Sequence, residues 1–231
     1  MYHYLEEEID NLKTKVIKMG SLVEEQIEFS LRCLFENNAE LGRIVIERDA
    51  KVDTFDVKID KLCQRIFALT QPVAVDLRLI MSALKINNDL ERMGDIAVNI
   101  VERAKSLSGH TDLLLDAGVK EMSEKVMTMV RKTLDSIVNN DQELAVGIIK
   151  YDDVIDNIER EVFEKLITKM ESEKSFIRPC VSAATVVRNL ERLADHSTNI
   201  AEEVIFLVDA KIIKHRKDFG GLDIKGEELE K

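Results

Sequence analysis

The stretch Leu90-Glu91-Arg92-Met93-Gly94-Asp95 decides the fold of this chain, because it returns 100 residues later as Leu190-Glu191-Arg192-Leu193-Ala194-Asp195. Further upstream the repeat continues at a spacing of 103 residues, and a three-residue difference in one inter-helix loop accounts for the change. The pairs at this second spacing are Leu31 and Leu134, Asn37 and Asn140, Glu40 and Glu143, Leu41 and Leu144, Asp49 and Asp152, and Asp53 and Asp156. Such a period indicates a chain built from two copies of one structural unit.

Composition indicates long helices with few turns. The chain has 231 residues, 45% of them apolar, but only two prolines and nine glycines. Leucine, isoleucine, glutamate, lysine and alanine are abundant and tryptophan is absent, which favours helix. A chain of this length can bury one large core or two smaller ones, and the repeat favours two.

Apolar residues recur at three- and four-residue steps, which predicts six amphipathic helices. They cover residues 5–36, 39–69, 75–105, 113–139, 142–170 and 176–210, approximately. Short connections between long helices imply antiparallel neighbours. We therefore predict an all-α fold of two pseudo-symmetric antiparallel three-helix bundles. The polar, glycine-containing segment at 106–112 predicts a linker, which divides the chain into domains at 1–107 and 112–210 and a charged, mobile C-terminal tail at 211–231.

Charge and cysteine usage exclude some classes of function. A net charge of −11 disfavours nucleic acid as a partner, because that binding needs basic residues, and favours cations. Cys33, Cys63 and Cys180 form no CxxC pair, which is typical of a reducing compartment. The N-terminus has no signal-peptide pattern, and no apolar run approaches the ~20 residues of a membrane span. We expect a soluble, cytoplasmic protein.

Carboxylate pairs four residues apart are the candidate functional groups. Residues at this spacing lie on one helix face with Cβ atoms roughly 5–6 Å apart, so each pair can converge on one point. If the two helices of each half are neighbours, four carboxylates meet in one groove, where a hard cation would relieve their repulsion. The predicted metal ligands are Asp49, Asp53, Glu91, Asp95, Asp152, Asp156, Glu191 and Asp195, with Asn99, Glu102, Asn199 and Glu202 as additional ligands.

Other interpretations of these residues remain open at this stage. A single acid pair at this spacing is commonly a solvated helix face, but four pairs at matched positions favour cation binding. A ferritin-like di-iron site needs a Glu-x-x-His motif, which the sequence lacks. Arg92 and Arg192 fit either ion pairs between helices or anion ligands, and His196 fits local packing or the surface better than a ligand. No GxSxG, HExxH, CxxC or glycine-rich phosphate loop indicates an enzyme.

The chain resembles the PhoU family over about residues 3–209. The resemblance rests on Gln71-Pro72-Val73-Ala74-Val75-Asp76-Leu77-Arg78, on Leu84-Lys85-Ile86, on the stretch from Asp89 to Asp95 and on the stretch from Leu190 to His196. Met19-Gly20 and the two Asp-x-x-x-Asp sites support it. The sequence departs from the family pattern at Ile96, where the family often has histidine. It also has Ile177-Arg178-Pro179 in place of a second Gln-Pro-Val-Ala segment, so the two sites need not be equivalent.

The resemblance implies a cytoplasmic, metal-binding negative regulator of phosphate uptake and of the phosphate-starvation response. It implies multinuclear metal clusters, one per bundle and iron in some members, held by the acid motifs, and manganese, magnesium or calcium also suit the oxygen ligands. The implied partners are the ATPase subunit of the phosphate ABC transporter and a sensor histidine kinase, through which alone the protein would approach the membrane. This interpretation allows a homodimer. The rival interpretations are a carboxylate-bridged multinuclear metalloenzyme and a metal-free helical scaffold.

Overall fold

The computed structural model describes residues 2–210, and the tail predicted at 211–231 lies outside the described residues. The described chain contains seven α-helices and no strand, which confirms the all-α prediction. The helices are α1 (Tyr2–Glu36), α2 (Ala39–Leu69), α3 (Ala74–Leu107), α4 (Thr111–Ala117), α5 (Val119–Asn139), α6 (Gln142–Ser172) and α7 (Ile177–Asp209), with a 3-10 turn at Lys174–Phe176 before α7. No helix among the described residues is long and apolar enough to cross a membrane.

The apolar stripe predicted for α1 forms one side of the core. Its apolar residues at three- and four-residue steps from Leu5 to Leu34 are all buried. The α2 residues buried against them include Val45, Val52, Ile59, Leu62 and Ile66. Leu77 of α3 departs from this pattern, because 39% of its surface stays exposed although its position continues the α3 stripe. The buried apolar side chains of both halves form one continuous cluster.

The prediction of a single helix over 113–139 is wrong. Gly118 has a φ of 91°, in the left-handed region, and separates α4 from α5. Its amide donates to the Leu115 carbonyl, 3.0 Å away, and so ends α4. Glycine adopts this conformation without the steric cost that a Cβ imposes, and the apolar pattern on both sides of Gly118 concealed the break.

The repeat is visible in matching turns. Asn38 accepts hydrogen bonds from the amides of Glu40 and Leu41 at the start of α2, and Asp141 accepts from the amide of Leu144 at the start of α6. The residue before each cap, Asn37 or Asn140, has a positive φ. Each half therefore makes the same tight turn between its first and second long helices, in which an Asn or Asp side chain satisfies free helix amides.

The two bundles consist of α1, α2 and α3 and of α5, α6 and α7. They meet mainly where α3 packs along α7, with α1 against α5 beside it. Lys85 pairs with Glu203 and Asp89 with His196, whereas Ser106, nearer the end of α3, contacts Ser182 near the start of α7. Residue numbers thus rise along α3 as they fall along α7, so the helices are antiparallel. This register brings the middles of α3 and α7, where the repeated motif lies, close together.

Candidate functional site

The first groove consists of Asp49 and Asp53 on α2 and Glu91 and Asp95 on α3. Asp49 is repelled by Asp53 and Asp95, and Glu91 is repelled by Asp95 and Asp53, so the carboxylates act on one another across the two helices. Gly94 faces this contact, where an added Cβ would lie 3.3 Å from Val52 Cγ1 and 3.8 Å from Asp49 Oδ1. The small residue at this position lets α3 approach α2 closely beside the acids.

Gln26 of α1 forms the floor of the first groove. The side chain is fully buried, and its Nε2 donates to Asp49 Oδ1 at 3.1 Å and to the Val45 carbonyl at 3.4 Å. Its Oε1 has no hydrogen-bond partner, although a buried amide oxygen is normally paired. The sequence analysis missed this residue. The available signal was its position seven residues after Met19, on the apolar stripe of α1.

Burial is the main influence on both perturbed acids of the first groove. It raises the pKa of Asp49, and repulsion from Asp53 and Asp95 acts in the same direction, against the hydrogen bond from Gln26. Burial likewise raises the pKa of Glu91, with repulsion from Asp95 adding to the effect and Arg92 opposing it. Both carboxylates therefore carry their charge at an energetic cost that a bound cation would reduce.

The second groove repeats the arrangement with Asp152 and Asp156 on α6 and Glu191 and Asp195 on α7. Burial, followed by repulsion from neighbouring aspartates, raises the pKa of Asp152 to about 6 and that of Glu191 to about 7. The pKa of Asp195 is also raised, first by burial and then by Asp156, while a hydrogen bond with Glu191 opposes this.

Basic side chains stand beside both grooves, in different arrangements. Arg92 lies 3.4 Å from Glu91 and 3.5 Å from Asp95, so its ion pairs are within α3, and the alternative of a pair between helices is wrong. In the second bundle Arg188 of α7 does cross to α6, where its Nη1 lies 3.0 Å from Glu159 Oε1. The same guanidinium also lies 4.0 Å from Glu191.

The four additional ligands of the sequence prediction have varied surroundings. Asn99 and Glu102 are exposed, and Glu202 is half-buried. Asn199 turns its amide toward Asp89 Oδ1, at 3.4 Å, across the contact between the bundles. His196 Nδ1 lies 2.8 Å from the same oxygen, so this histidine, predicted as a local packing or surface residue, contacts the other bundle.

The carboxylate oxygens of the grooves suit a hard cation, although the side chains do not converge on one position where an ion could bind. Within residues 2–210, no three His, Cys, Asp or Glu side chains form a group that could hold a metal ion as they are placed. The carboxylates would have to turn inward on half-exposed helix faces to do so. Every atom of the first groove that could bind a metal, including the unpaired Gln26 Oε1, is an oxygen. Oxygen ligands match Mg²⁺, Ca²⁺, Mn²⁺ or ferric iron.

Comparison with known proteins places this arrangement in a family. The family described as PhoU domain matches the chain twice, at residues 16–104 and 119–204. A phosphate-specific transport system accessory protein PhoU homolog of Aquifex aeolicus is 39% identical over 209 residues, which cover 90% of this chain and 95% of that protein. The phosphate-specific transport system accessory protein PhoU of Serratia marcescens is 32% identical over 90% of this chain and 86% of its own length.

Solved structures agree with the sequence comparison. The crystal structure of PhoU from Pseudomonas aeruginosa superposes with a TM-score of 0.84 at 32% identity, covering 89% of this chain and 99% of that one. The phosphate transport system regulatory protein PhoU from Streptococcus pneumoniae gives a TM-score of 0.81 at 25% identity, over 90% of this chain and 98% of its own. With two domain matches, full-length relatives and the same two-bundle fold, the chain belongs to the PhoU family.

Proposed function

We propose that this chain is an accessory regulator of phosphate transport that holds hard metal cations in its two acidic grooves and works by docking to partner proteins. Family membership supports the regulatory part, because the full-length relatives are named as accessory or regulatory proteins of phosphate transport. One observation carries the metal part: two matched sets of four carboxylates, in each of which burial and mutual repulsion raise pKa values.

The carboxylates of each groove would be the ligands. In the first groove these are Asp49, Asp53, Glu91 and Asp95, with Gln26 Oε1 available beneath them. In the second they are Asp152, Asp156, Glu191 and Asp195. Bound cations would neutralise the acids and hold α2 against α3, or α6 against α7. We propose iron clusters, one per bundle, as the first choice, and Mn²⁺, Mg²⁺ or Ca²⁺ as the other cations that suit all-oxygen ligands.

The proposed partners are proteins rather than substrates. We propose that the chain acts in the cytoplasm between the ATPase subunit of the phosphate ABC transporter and a sensor histidine kinase, as a negative regulator of the phosphate-starvation response. No residue is assigned a catalytic role, so we expect a metal-loaded sample to leave phosphoesters and oxygen unchanged.

The metal part is tested by the content of the purified full chain. We expect Glu91→Ala with Asp95→Ala to remove the metal of the first groove, roughly half of the total, as measured by elemental analysis. The matched control is Asp112→Ala with Asp116→Ala, an exposed pair on α4 at the same four-residue spacing but outside both grooves. Unchanged stoichiometry in the groove variant, or an equal loss in the control, would contradict metal binding by the groove.

The regulatory part is tested by capture from cells grown with and without phosphate. We expect the tagged chain to retain the transporter ATPase subunit, identified by mass spectrometry, from phosphate-replete cells. The groove variant serves as the comparison, because a docking surface shaped by the metal would retain less of this subunit. Absence of the ATPase subunit and of the histidine kinase in both growth conditions would count against the proposal.

A further inference from the structure

A cleft lies in the first bundle where α2 begins and α3 ends, with α1 as its third side. Its volume is about 610 Å³, within the range of roughly 300–1,000 Å³ that is usual for pockets that bind small molecules. The apolar part of its lining consists of Cys33, Ala39, Gly42, Ile46, Val101 and Ala104. None of its lining residues is a predicted metal ligand, so the cleft is distinct from the first groove.

The floor of the cleft is closely packed and apolar. A Cβ added at Gly42 would lie 2.9 Å from both Cys33 Sγ and Val101 Cγ1, which is closer than side chains approach, so glycine lets α1, α2 and α3 meet beneath the cleft. One turn further along α3, the side chain of Ala104 is a single methyl group. Ile46 lines the cleft with 46% of its surface exposed. The cleft therefore combines a sealed floor with apolar surface that is open to water.

The second bundle has larger and buried apolar side chains at the equivalent place. By the 100-residue spacing Ala104 corresponds to Val204 and Lys105 to Ile205. Val204 is 1% exposed and Ile205 is fully buried, whereas Lys105 is exposed. Where the second bundle has two branched apolar residues, the first has a methyl group and a charge. The two bundles therefore differ at this place, although they share the carboxylates of the grooves.

Lys105 gives the rim of the cleft a positive charge. Within residues 2–210 its ammonium forms no ion pair. Burial raises the pKa of the Cys33 thiol on the floor, and the charge of Lys105 acts on that thiol in the opposite direction. Arg43 and Glu47 also line the cleft, but Arg43 pairs with Glu47 and with Glu40 of the same helix. The amino end of α2 adjoins the cleft and adds the partial positive charge of a helix dipole.

We propose that this cleft binds a small amphipathic anion, an organic molecule with an apolar body and one carboxylate group. The body would cover the floor and the exposed surface of Ile46, because removal of apolar surface from water favours such binding. The carboxylate would lie at the rim, between Lys105 and the amino end of α2. The site is additional to the two acidic grooves and does not depend on the metals proposed for them, since it shares no side chain with them.

The test uses octanoate as the anion and 1-octanol as its neutral counterpart. Full-length protein is treated with EDTA, and binding of each compound is measured by isothermal titration calorimetry. We expect one octanoate per chain, and Lys105→Gln should weaken its binding about fivefold, the upper range for an exposed ion pair, while the affinity for 1-octanol stays unchanged. The matched control Lys61→Gln removes an exposed lysine of α2 that does not line the cleft, and should leave both affinities as in the wild type.

A second variant tests the apolar part of the site. Ala104→Val with Lys105→Ile copies the second bundle, and should abolish the binding of octanoate and weaken that of 1-octanol while circular dichroism shows an unchanged helix content. The exposed Ala68 of α2 supplies the matched control, Ala68→Val, which should bind both compounds normally. A wild type that binds no octanoate would overturn the site, and so would equal octanoate affinities in the wild type and Lys105→Gln.

This proposal and the one for the first groove fail separately. Glu91→Ala with Asp95→Ala should bind octanoate as the wild type does, because neither residue lines the cleft. Loss of octanoate binding in that double variant would contradict the separation of the cleft from the groove. The metal content of the same variant tests the groove alone.

Discussion

The two acidic grooves share their carboxylates but differ beneath them. Gln26 lies under the first groove and donates to Asp49, whereas the equivalent position in the second bundle, by the 103-residue spacing, is Met129. Both side chains are buried. A thioether gives a carboxylate far less hydrogen bonding than an amide does, and the acids with the pKa values of about 6 and 7 both belong to the second groove.

The difference teaches that the repeat preserves the carboxylates and varies the way their charge is balanced. Around the first groove, amide donors face the acids, from Gln26 to Asp49 and from Asn87 to Asp56. Around the second, the Arg188 guanidinium faces Glu159, while burial and repulsion between the acids raise the pKa of Glu191 and of Asp195. We infer that the grooves, although built on the same pattern, respond differently to acidity and to cations.

The largest effect we expect comes from breaking the core behind each motif. Leu90 and Leu190 occupy equivalent positions and are both fully buried. Replacing either with alanine should lower the free energy of unfolding by ~3 kcal/mol, the middle of the range for buried leucine. Because α3 and α7 pack along each other, we expect one unfolding transition in both variants, followed by circular dichroism in urea.

The control for this pair is Leu77→Ala, which changes the same residue type on α3 where 39% of the side chain is exposed. It should cost under about 1 kcal/mol, because little apolar area is lost. Two separate transitions in either core variant would show that the halves unfold independently. A strongly unequal loss of unfolding free energy in Leu90→Ala and Leu190→Ala would show that core packing behind the motif stabilises one bundle only.

Much of the fold could be predicted from periodicity, because burial of an amphipathic helix follows its apolar stripe. The α1 stripe from Leu5 to Leu34 is buried as expected, and the breaks at Asn37 and Pro72 lie where the sequence indicated. Gly118 could not be identified as a break, since a glycine is tolerated within a helix and only its backbone angle in the folded chain distinguishes the two cases.

The site was predictable as far as it lies on single helices. The i, i+4 spacing identified the acids that repel one another across α2 and α3 and across α6 and α7. It could not show that Gln26 of α1 lies beneath one groove, or that Asp89 meets His196 between the bundles. Those contacts depend on the rotation and register of separate helices, which no local pattern records.

A smaller effect, the pH dependence of the unfolding free energy of metal-free protein, should distinguish the two grooves. An acid whose pKa is raised in the folded state binds protons more tightly there, so its stabilising contribution is complete below the unfolded pKa of ~4 and disappears as the pH rises through the folded pKa. For Asp152 and Glu191 the loss therefore falls between about pH 4 and 7. We expect about 1–2 kcal/mol after allowing for the water that screens a half-exposed groove.

The measurement is the urea unfolding free energy at pH 5 and pH 8 in the presence of EDTA. Asp152→Asn with Glu191→Gln should remove most of this pH dependence from the second groove. The equivalent variant of the first groove, Asp49→Asn with Glu91→Gln, should change it less, because Gln26 already stabilises the charged form of Asp49. Equal changes in the pH dependence of the two variants would mean that the difference between Gln26 and Met129 has no electrostatic consequence.

The smallest effect concerns the helix that is continuous in one half and interrupted in the other. By the 103-residue spacing Gly118 corresponds to Lys15, which lies within α1. A Cβ added at Gly118 would meet Lys165 Nζ at 3.5 Å and Val162 Cγ2 at 3.7 Å, which are ordinary contacts, so the cost of Gly118→Ala is that of the positive φ alone. We expect a loss of ~1 kcal/mol in the unfolding free energy, whereas Lys15→Ala, at a position that stays helical, should be nearly neutral. If Gly118→Ala instead raised both the stability and the helical signal at 222 nm, then α4 and α5 would join into one helix in the variant, and the interruption would be a property of glycine rather than of the packing around it.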